Sequence, residues 1–132
     1  MEIACGKGEH VWKILESAAN YLETILMLSK QNGEVRSIDI VNEMNFSKPS
    51  VSVAMKHFRE DGYIVMDESG YITLTDKGME VAQKVYERHM VLTALLRKLG
   101  VSEENAAQDA CRMEHDLSDE TFQKIKEFTE TL

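Results

Sequence analysis

The 132-residue sequence predicts a mainly α-helical protein with one small β-hairpin. Apolar residues recur at steps of three and four along most of the chain, which is the period of an amphipathic helix. Two short runs rich in β-branched and aromatic residues, 63–66 and 71–74, interrupt this pattern, and a turn-forming stretch separates them. The composition, 43% hydrophobic and 29% charged, is that of a folded globular protein rather than a disordered one.

Three helices are predicted before the hairpin. The apolar stripe from Val11 to Leu28 predicts a long first helix that ends at Asn32-Gly33. Ser37 is expected to cap a short second helix, and Ser47 a third that carries Pro49 in its first turn and ends at Asp61-Gly62. The second helix is expected to bury Ile38, Ile40, Val41 and Met44, and the third runs through the apolar residues Val51, Val53, Ala54, Met55 and Phe58.

Three more helices are predicted after the hairpin. A long helix is capped by Thr75 or Asp76 and is closed by Gly100, a fifth runs from Ser102 to about His115, and a sixth begins at Ser118. The sixth helix carries an apolar stripe too hydrophobic for a free helix. We expect this stripe to be buried against its own domain or a partner chain: Phe122, Ile125 and Phe128.

The order helix, short helix, turn, helix, hairpin and long helix is that of a winged helix-turn-helix module. We therefore predict a winged helix-turn-helix domain over residues 1–75, in which residues 1–9 can be disordered. A connecting helix is predicted over 76–99, and a small all-helical part over 100–132.

The charge of the chain is unevenly distributed. The net charge is −8, but the segment 102–132 alone holds nine acidic and three basic residues, whereas the segment 36–61 holds four of each. An acidic protein can bind DNA through a local cationic face, although its overall field does not steer it there. The charge therefore favours a rival hypothesis, a metal-independent winged-helix module that binds other proteins.

The third predicted helix is the candidate for DNA recognition. A recognition helix presents its N-terminal residues to the major groove, and small hydroxyl or basic side chains there suit contacts with phosphates and bases. An ordinary capped surface helix would present similar residues, so the neighbouring helix and hairpin decide in favour of DNA. The acidic turn 67–70 predicts a structural wing. The candidate DNA-binding residues are Arg36, Ser47, Lys48, Pro49, Ser50, Ser52, Lys56 and Arg59.

A second group of residues has the spacing of a metal site. Cys111, Glu114 and His115 are spaced i, i+3 and i+4, so they share one face of a helix. A thiolate, a carboxylate and an imidazole together suit a divalent transition metal. Asn20 and Glu23 have the same i, i+3 spacing on the first helix. The alternative interpretation is a solvated polar face with a buried cysteine.

Other features exclude several classes of protein. The sequence lacks H-E-x-x-H, G-x-S-x-G and phosphate-binding loop motifs, so we expect no enzyme and no small-molecule substrate. No apolar run is long enough to span a membrane, and because the first fifteen residues carry charges throughout we expect no secretory signal there. Two cysteines far apart in the sequence, Cys5 and Cys111, are expected to be thiols in the cytoplasm.

Four stretches resemble the metal-dependent repressors of the diphtheria-toxin-repressor and manganese-transport-regulator type: 20–25, 37–62, 74–78 and 109–115. The resemblance covers about residues 16–130 and is closest to the shorter members, which lack a C-terminal SH3-like domain. It implies a homodimer in which an N-terminal winged helix-turn-helix binds double-stranded operator DNA, followed by an all-helical dimerisation domain.

The resemblance also implies a set of metal ligands. It assigns Cys111, Glu114 and His115 to the primary site, with Asn20, Glu23 and His89 at further ligand positions. Asn20 departs from the family, which has a methionine or an aspartate there. An ancillary site of the iron-sensing branch would place its other ligands at Thr93 and Ala107, so we expect a single ion or a binuclear cluster instead.

The sequence thus predicts a cytoplasmic, metal-responsive transcriptional repressor. The stretch around Cys111 resembles the iron-sensing branch, whereas the manganese branch has a carboxylate at that position. Fe(II) is therefore the first expectation and Mn(II) the second, and Zn(II) and Co(II) are expected to bind in vitro. An ion that joins the first helix to the connecting and fifth helices is expected to fix the spacing of two recognition helices on a palindromic operator.

Overall fold

The structure is a computed structural model that describes the backbone of residues 10–132 and the side chains from residue 18 onward. The expectations for residues 1–9 and for Cys5 lie outside the described residues. The described chain forms two compact units. The first comprises residues 17–83, and the second comprises residues 84–132 together with residues 10–16.

Six helices and one hairpin make up the described part of the chain, as the sequence predicts. They are α1 (His10–Asn32), α2 (Ser37–Met44), α3 (Lys48–Glu60), β1 (Ile64–Met66), β2 (Ile72–Leu74), α4 (Asp76–Lys98), α5 (Glu103–Met113) and α6 (Asp119–Thr129). None of the helices in residues 10–132 is long and apolar enough to cross a membrane.

The N-termini of α2 and α3 are capped in different ways. The Ser47 Oγ accepts a hydrogen bond from the Ser50 amide at 3.2 Å, which confirms the predicted cap of α3. The predicted cap of α2 is wrong, because Ser37 is already the first helical residue and Arg36 is the N-cap. The carboxylate of Asp39 accepts a hydrogen bond from the Arg36 amide at 2.9 Å, so the side chain three residues inside the helix satisfies that amide.

The core of the first unit lies between α1, α2, α3 and the hairpin. The predicted burial of Ile38 is wrong, since it is 43% exposed, and Val53 on the third helix is 56% exposed. Each lies two residues from a buried neighbour, Ile40 or Val51, and a two-residue step turns a side chain about 200° around a helix. The core residues are Leu22, Ile25, Ile40, Met44, Val51, Met55 and Ile64, and the ring of Tyr21 packs against Phe46 and Phe58.

The hairpin is antiparallel, with Val65 opposite Thr73. At its tip, one carboxylate oxygen of Asp67 accepts hydrogen bonds from the amides of Ser69 and Tyr71, both at 2.9 Å. This acidic side chain therefore closes the turn, in keeping with a structural wing. The amide of Ile72 donates to the carbonyl of Val35 at 2.7 Å, which fastens the wing to the segment before α2.

The start of α4 packs tightly against the hairpin. Thr75 Oγ1 accepts a hydrogen bond from the Gly78 amide at 3.2 Å and donates one to the Gly62 carbonyl at 2.6 Å. A Cβ atom on Gly78 would lie only 2.1 Å from the Tyr63 carbonyl oxygen, so only glycine permits this approach.

The second unit contains the rest of α4, with α5 and α6. Ser102 and Ser118 cap α5 and α6 as predicted. However, α5 ends at Met113, so His115 lies in the turn that follows rather than on the helix. The predicted stripe of α6 is only partly buried within its own unit. Phe122 is buried, Ile125 is half-buried and Phe128 is 58% exposed.

Candidate metal centre and nucleic-acid interface

The three residues that the sequence predicts as a metal site come together at the end of α5. Cys111 lies in the last turn of the helix, Glu114 is its C-cap with αR backbone angles, and His115 follows. One sulfur, one carboxylate oxygen and one imidazole nitrogen from these residues all lie within 4.8 Å of one another. The group is largely buried, with Cys111 5% and Glu114 2% exposed.

The chemistry of this group fits a divalent transition metal. Bonds from such an ion to sulfur, nitrogen and oxygen are about 2.0–2.3 Å long, so atoms that share one ion lie within about 4.6 Å of each other. A buried carboxylate costs several kcal/mol unless it is paired, hydrogen-bonded or bound to a metal. The residues present are therefore able to hold an ion with a mixed sulfur, nitrogen and oxygen donor set.

A second histidine contacts Glu114 from α4. Nδ1 of His89 lies 3.0 Å from Oε2 of Glu114, and Nε2 of His115 lies 3.4 Å from Oε1. An ionised carboxylate only accepts hydrogen bonds, so a neutral His89 ring that faces an ionised Glu114 donates through Nδ1. In the neutral ring this leaves the lone pair on Nε2. Glu114 thus connects His89 with the Cys111 and His115 pair within the second unit.

Arg88 is a residue of this region that sequence reasoning missed. It precedes His89 on α4 and is 7% exposed. Its Nη1 donates to the carbonyls of Glu114 and Leu117, at 3.1 Å and 2.7 Å, and its Nη2 donates to Asp119 Oδ1 at 2.5 Å. The sequence feature that could have indicated this residue is its spacing: Arg88 lies three positions after Val85 and four before Leu92, which places a charge on the core-facing side of α4.

Asp119, the carboxylate partner of Arg88, also contacts Lys84 at 3.2 Å. The hydrogen bond and the charge of Lys84, with a smaller contribution from Arg88, hold the pKa of Asp119 below its usual range. Asp119 therefore remains ionised at neutral pH.

Asn20 and Glu23, the remaining predicted ligands, lie one helical turn apart on α1. Both are buried in the first unit, with exposures of 0% and 2%. Two polar side chains are thus kept away from water on an otherwise apolar stripe. Their role as metal ligands stays a prediction.

The predicted DNA-binding residues all lie in the first unit, and every one is exposed. The guanidinium of Arg36 lies 4.4 Å from the centre of the Tyr71 ring, a cation–π contact that links this cation to the wing. The hydroxyl of Ser47 donates to that of Ser50 at 2.8 Å. The exposed set is Arg36, Ser47, Lys48, Pro49, Ser50, Ser52, Lys56 and Arg59, to which the structure adds the exposed Val53.

Two family profiles match the chain. The iron-dependent repressor N-terminal DNA-binding domain matches residues 13–72, and the iron-dependent repressor metal-binding and dimerisation domain matches residues 75–132.

Relatives of known sequence and structure agree with these profiles. The transcriptional regulator MntR of Escherichia coli O6:H1 is 36% identical over 111 residues, which are 84% of this chain and 72% of that protein. An uncharacterised HTH-type transcriptional regulator of Methanocaldococcus jannaschii is 32% identical over 117 residues, which are 87% of this chain and 94% of that protein. The crystal structure of IdeR from T. acidophilum matches with a TM-score of 0.76 and 26% identity over 85% of this chain. The chain spans about half of the IdeR chain, 53%.

These matches cover nearly all of the described residues and confirm the resemblance to the metal-dependent repressors. They also confirm the fold class, a DNA-binding domain followed by a helical dimerisation domain. The family consists of transcriptional regulators rather than enzymes. The chain belongs to the iron-dependent repressor family, which includes the MntR regulators, and is a metal-dependent DNA-binding repressor of metal homeostasis.

Proposed function

We propose that this repressor senses Fe(II), with Mn(II) as the second candidate, through a centre built on Cys111, Glu114 and His115. His89 and, from α1, Asn20 and Glu23 are the further ligands. The observation that carries the proposal is the convergence of a buried thiol, carboxylate and imidazole within 4.8 Å. When bound, the ion supplies a positive charge that connects these side chains and offsets the cost of their burial.

Iron comes before manganese because of Cys111. A thiolate is a softer ligand than a carboxylate, and Mn(II) is the least competitive of the first-row divalent ions at such a site. Zn(II) and Co(II) bind as well in vitro, since they follow iron in the same affinity order.

Metal and DNA binding must be coupled in both directions. If the ion binds the DNA-competent state more tightly than the other state, operator DNA must raise metal affinity by the same factor. The decisive experiment compares operator binding by the metal-stripped protein with binding by the Fe(II)- and Mn(II)-loaded forms. Equal binding by all three would favour the alternative, a metal-independent winged-helix module.

For DNA recognition, we propose that the N-terminal half of α3 enters the major groove. Lys48, Lys56 and Arg59 carry charges suited to phosphates, whereas Pro49, Ser50 and Val53 are suited to base edges. Val53 is an exposed apolar side chain among polar neighbours, and the methyl group of thymine is the apolar feature of the major groove. Arg36, Ser47 and Ser52 lie beside this set.

Replacing Lys56 with alanine should weaken binding to all DNA sequences alike. Removing one contact with a phosphate should make the slope of log affinity against log salt concentration shallower by about 0.9. Ser50→Ala and Val53→Ala should instead change which sequences are preferred. Fluorescence anisotropy with operator and scrambled duplexes at several salt concentrations measures both effects, and Arg97→Ala, which removes an exposed cation of the second unit, is the control. Unchanged affinity in all three α3 variants would show that α3 does not contact DNA.

We further propose that the repressor is a cytoplasmic homodimer assembled through the helical region 100–132. In the second unit, Leu95, Ile125 and Phe128 line an open groove beside Glu120 and Lys124. A second copy is the proposed occupant, because a dimerisation domain belongs to this family and two operator half-sites require two-fold symmetry. The predicted domains, 1–75, 76–99 and 100–132, remain part of this proposal.

Phe128→Glu should shift the repressor from dimer to monomer, because it places a charge in an apolar interface. Sedimentation at micromolar concentration, with metal present, measures the change in mass. Glu130→Gln, an exposed neighbour on the same helix end, should leave the dimer intact. A monomeric wild-type protein, or a variant that dimerises as well as the wild type, would contradict this interface.

A further inference from the structure

Arg88 is an unusual residue because it is a nearly buried cation that contacts backbone rather than only another side chain. One of its nitrogens donates to the carbonyls of Glu114 and Leu117, and another donates to the carboxylate of Asp119. Its guanidinium also lies 5.2 Å from the centre of the Phe122 ring on α6. The side chain thus reaches from α4 to the turn between α5 and α6, and to the start of α6.

The turn that Arg88 contacts is the one that carries Glu114 and His115. The last carbonyls of a helix have no partner within that helix, and a cation close to them is favourable. Arg88 satisfies two carbonyls at opposite ends of this turn, residues 114 and 117. The neighbouring His89 contacts the carboxylate of Glu114 at 3.0 Å. Of two adjacent residues of α4, Arg88 therefore holds the backbone of Glu114 and His89 holds its side chain.

We infer that Arg88, held in place by Asp119, is a positioning residue of the metal centre: it fixes the turn 114–118 so that Glu114 and His115 face Cys111 before any ion binds. The inference rests on the proposed metal centre. A guanidinium is planar and presents several donors in fixed directions, whereas a lysine offers one nitrogen. Lysine therefore cannot hold two carbonyls and a carboxylate in the same geometry.

Asp119 keeps the guanidinium oriented and is itself exposed. Its second partner, Lys84, lies on the same helix as Arg88, one turn before it. Neither Arg88 nor Asp119 supplies a ligand to the centre, so both act through the turn alone. Outer residues of this kind typically change metal affinity by about 10–100-fold when they are replaced.

The test uses Co(II) titration of the full chain, with the near-ultraviolet absorption of thiolate-bound Co(II) as readout and urea unfolding of the metal-stripped protein alongside. Arg88→Lys should weaken Co(II) binding by about 10–100-fold and alter the spectrum at saturation. The matched control is Lys126→Met, which removes another α4–α6 ion pair, with Glu87 at 3.1 Å. This substitution should leave the Co(II) affinity and the spectrum unchanged, although the ion pair that it removes joins the same two helices.

Asp119→Asn keeps the test valid if the Arg88 variant does not fold, because Asp119 is exposed. This variant should weaken Co(II) binding in the same direction by a smaller factor. If Arg88→Lys folds and shows wild-type Co(II) affinity and spectrum, the inference is overturned while the metal centre remains intact. If Arg88→Lys is unfolded, wild-type Co(II) affinity in Asp119→Asn overturns the inference in the same way. Absence of the thiolate band in the wild-type protein would overturn the proposed centre and the inference together.

Discussion

Replacing Glu114 or His115 with alanine should leave a repressor whose DNA binding no longer responds to metal. Each change removes one donor from a group of three that lies within 4.8 Å, and alanine offers no ligand atom in its place. At a free metal concentration of 100 times Kd, binding to the folded state stabilises a protein by about 2.7 kcal/mol. This increment should vanish in both variants. Thermal unfolding with and without Mn(II) or Co(II) measures it, and operator binding under the same conditions measures the coupling.

The control for these variants is Glu104→Ala, which removes an exposed carboxylate from the first turn of α5, the helix that precedes Glu114 and His115. It should keep the full metal response. The Glu114 variant also removes the partner of His89, so its metal-free stability can differ from that of the wild type. A metal response of wild-type size in either variant would show that the ion binds elsewhere.

Most of the fold could be predicted because it depends on local patterns. The periodicity of α1 and the serine caps of α3, α5 and α6 are properties of short stretches of sequence, and the structure reproduces them. An apolar side chain on a short helix is not buried by composition alone, and Ile38 is the example that the prediction missed. Ile38 and Val53 lie on the far side from the core, and a strict helical period would have separated them from Ile40 and Val51.

In the candidate site, too, the local part could be predicted from the sequence and the long-range part could not. Cys111, Glu114 and His115 lie within five consecutive residues, so their spacing predicts their convergence even though α5 ends before His115. The role of Arg88 depends on carbonyl groups 26 and 29 residues away in the sequence. Backbone carbonyls carry no residue-specific signal, so no spacing rule could have indicated that contact. The one indication in the sequence that Arg88 is unusual is its charge at a core-facing position of a helix, and this does not predict which groups it contacts.

Changing Cys111 to glutamate should shift the metal response from Fe(II) toward Mn(II) without abolishing DNA binding. The substitution exchanges a soft sulfur ligand for a hard oxygen ligand, while Glu114 and His115 remain. The ratio of the two metal affinities, measured by titration of the full chain under anaerobic conditions, should move in favour of Mn(II). Operator binding by the Fe(II)- and Mn(II)-loaded variant then shows whether the shift in metal affinity also changes which metal activates DNA binding.

Cys111→Ala separates this interpretation from the simpler one, in which Cys111 is only a small buried hydrophobic residue. If the sulfur is a ligand, the alanine variant should lose affinity for Co(II) and should lack the near-ultraviolet band of thiolate-bound Co(II). Because Cys111 is 5% exposed, the alanine leaves a small cavity and lowers the stability of the metal-free protein under either interpretation. Metal affinity and the Co(II) band, rather than unfolding, therefore separate the two. A wild-type metal response in Cys111→Ala would remove the basis for preferring iron, and the protein would then be interpreted as a manganese sensor.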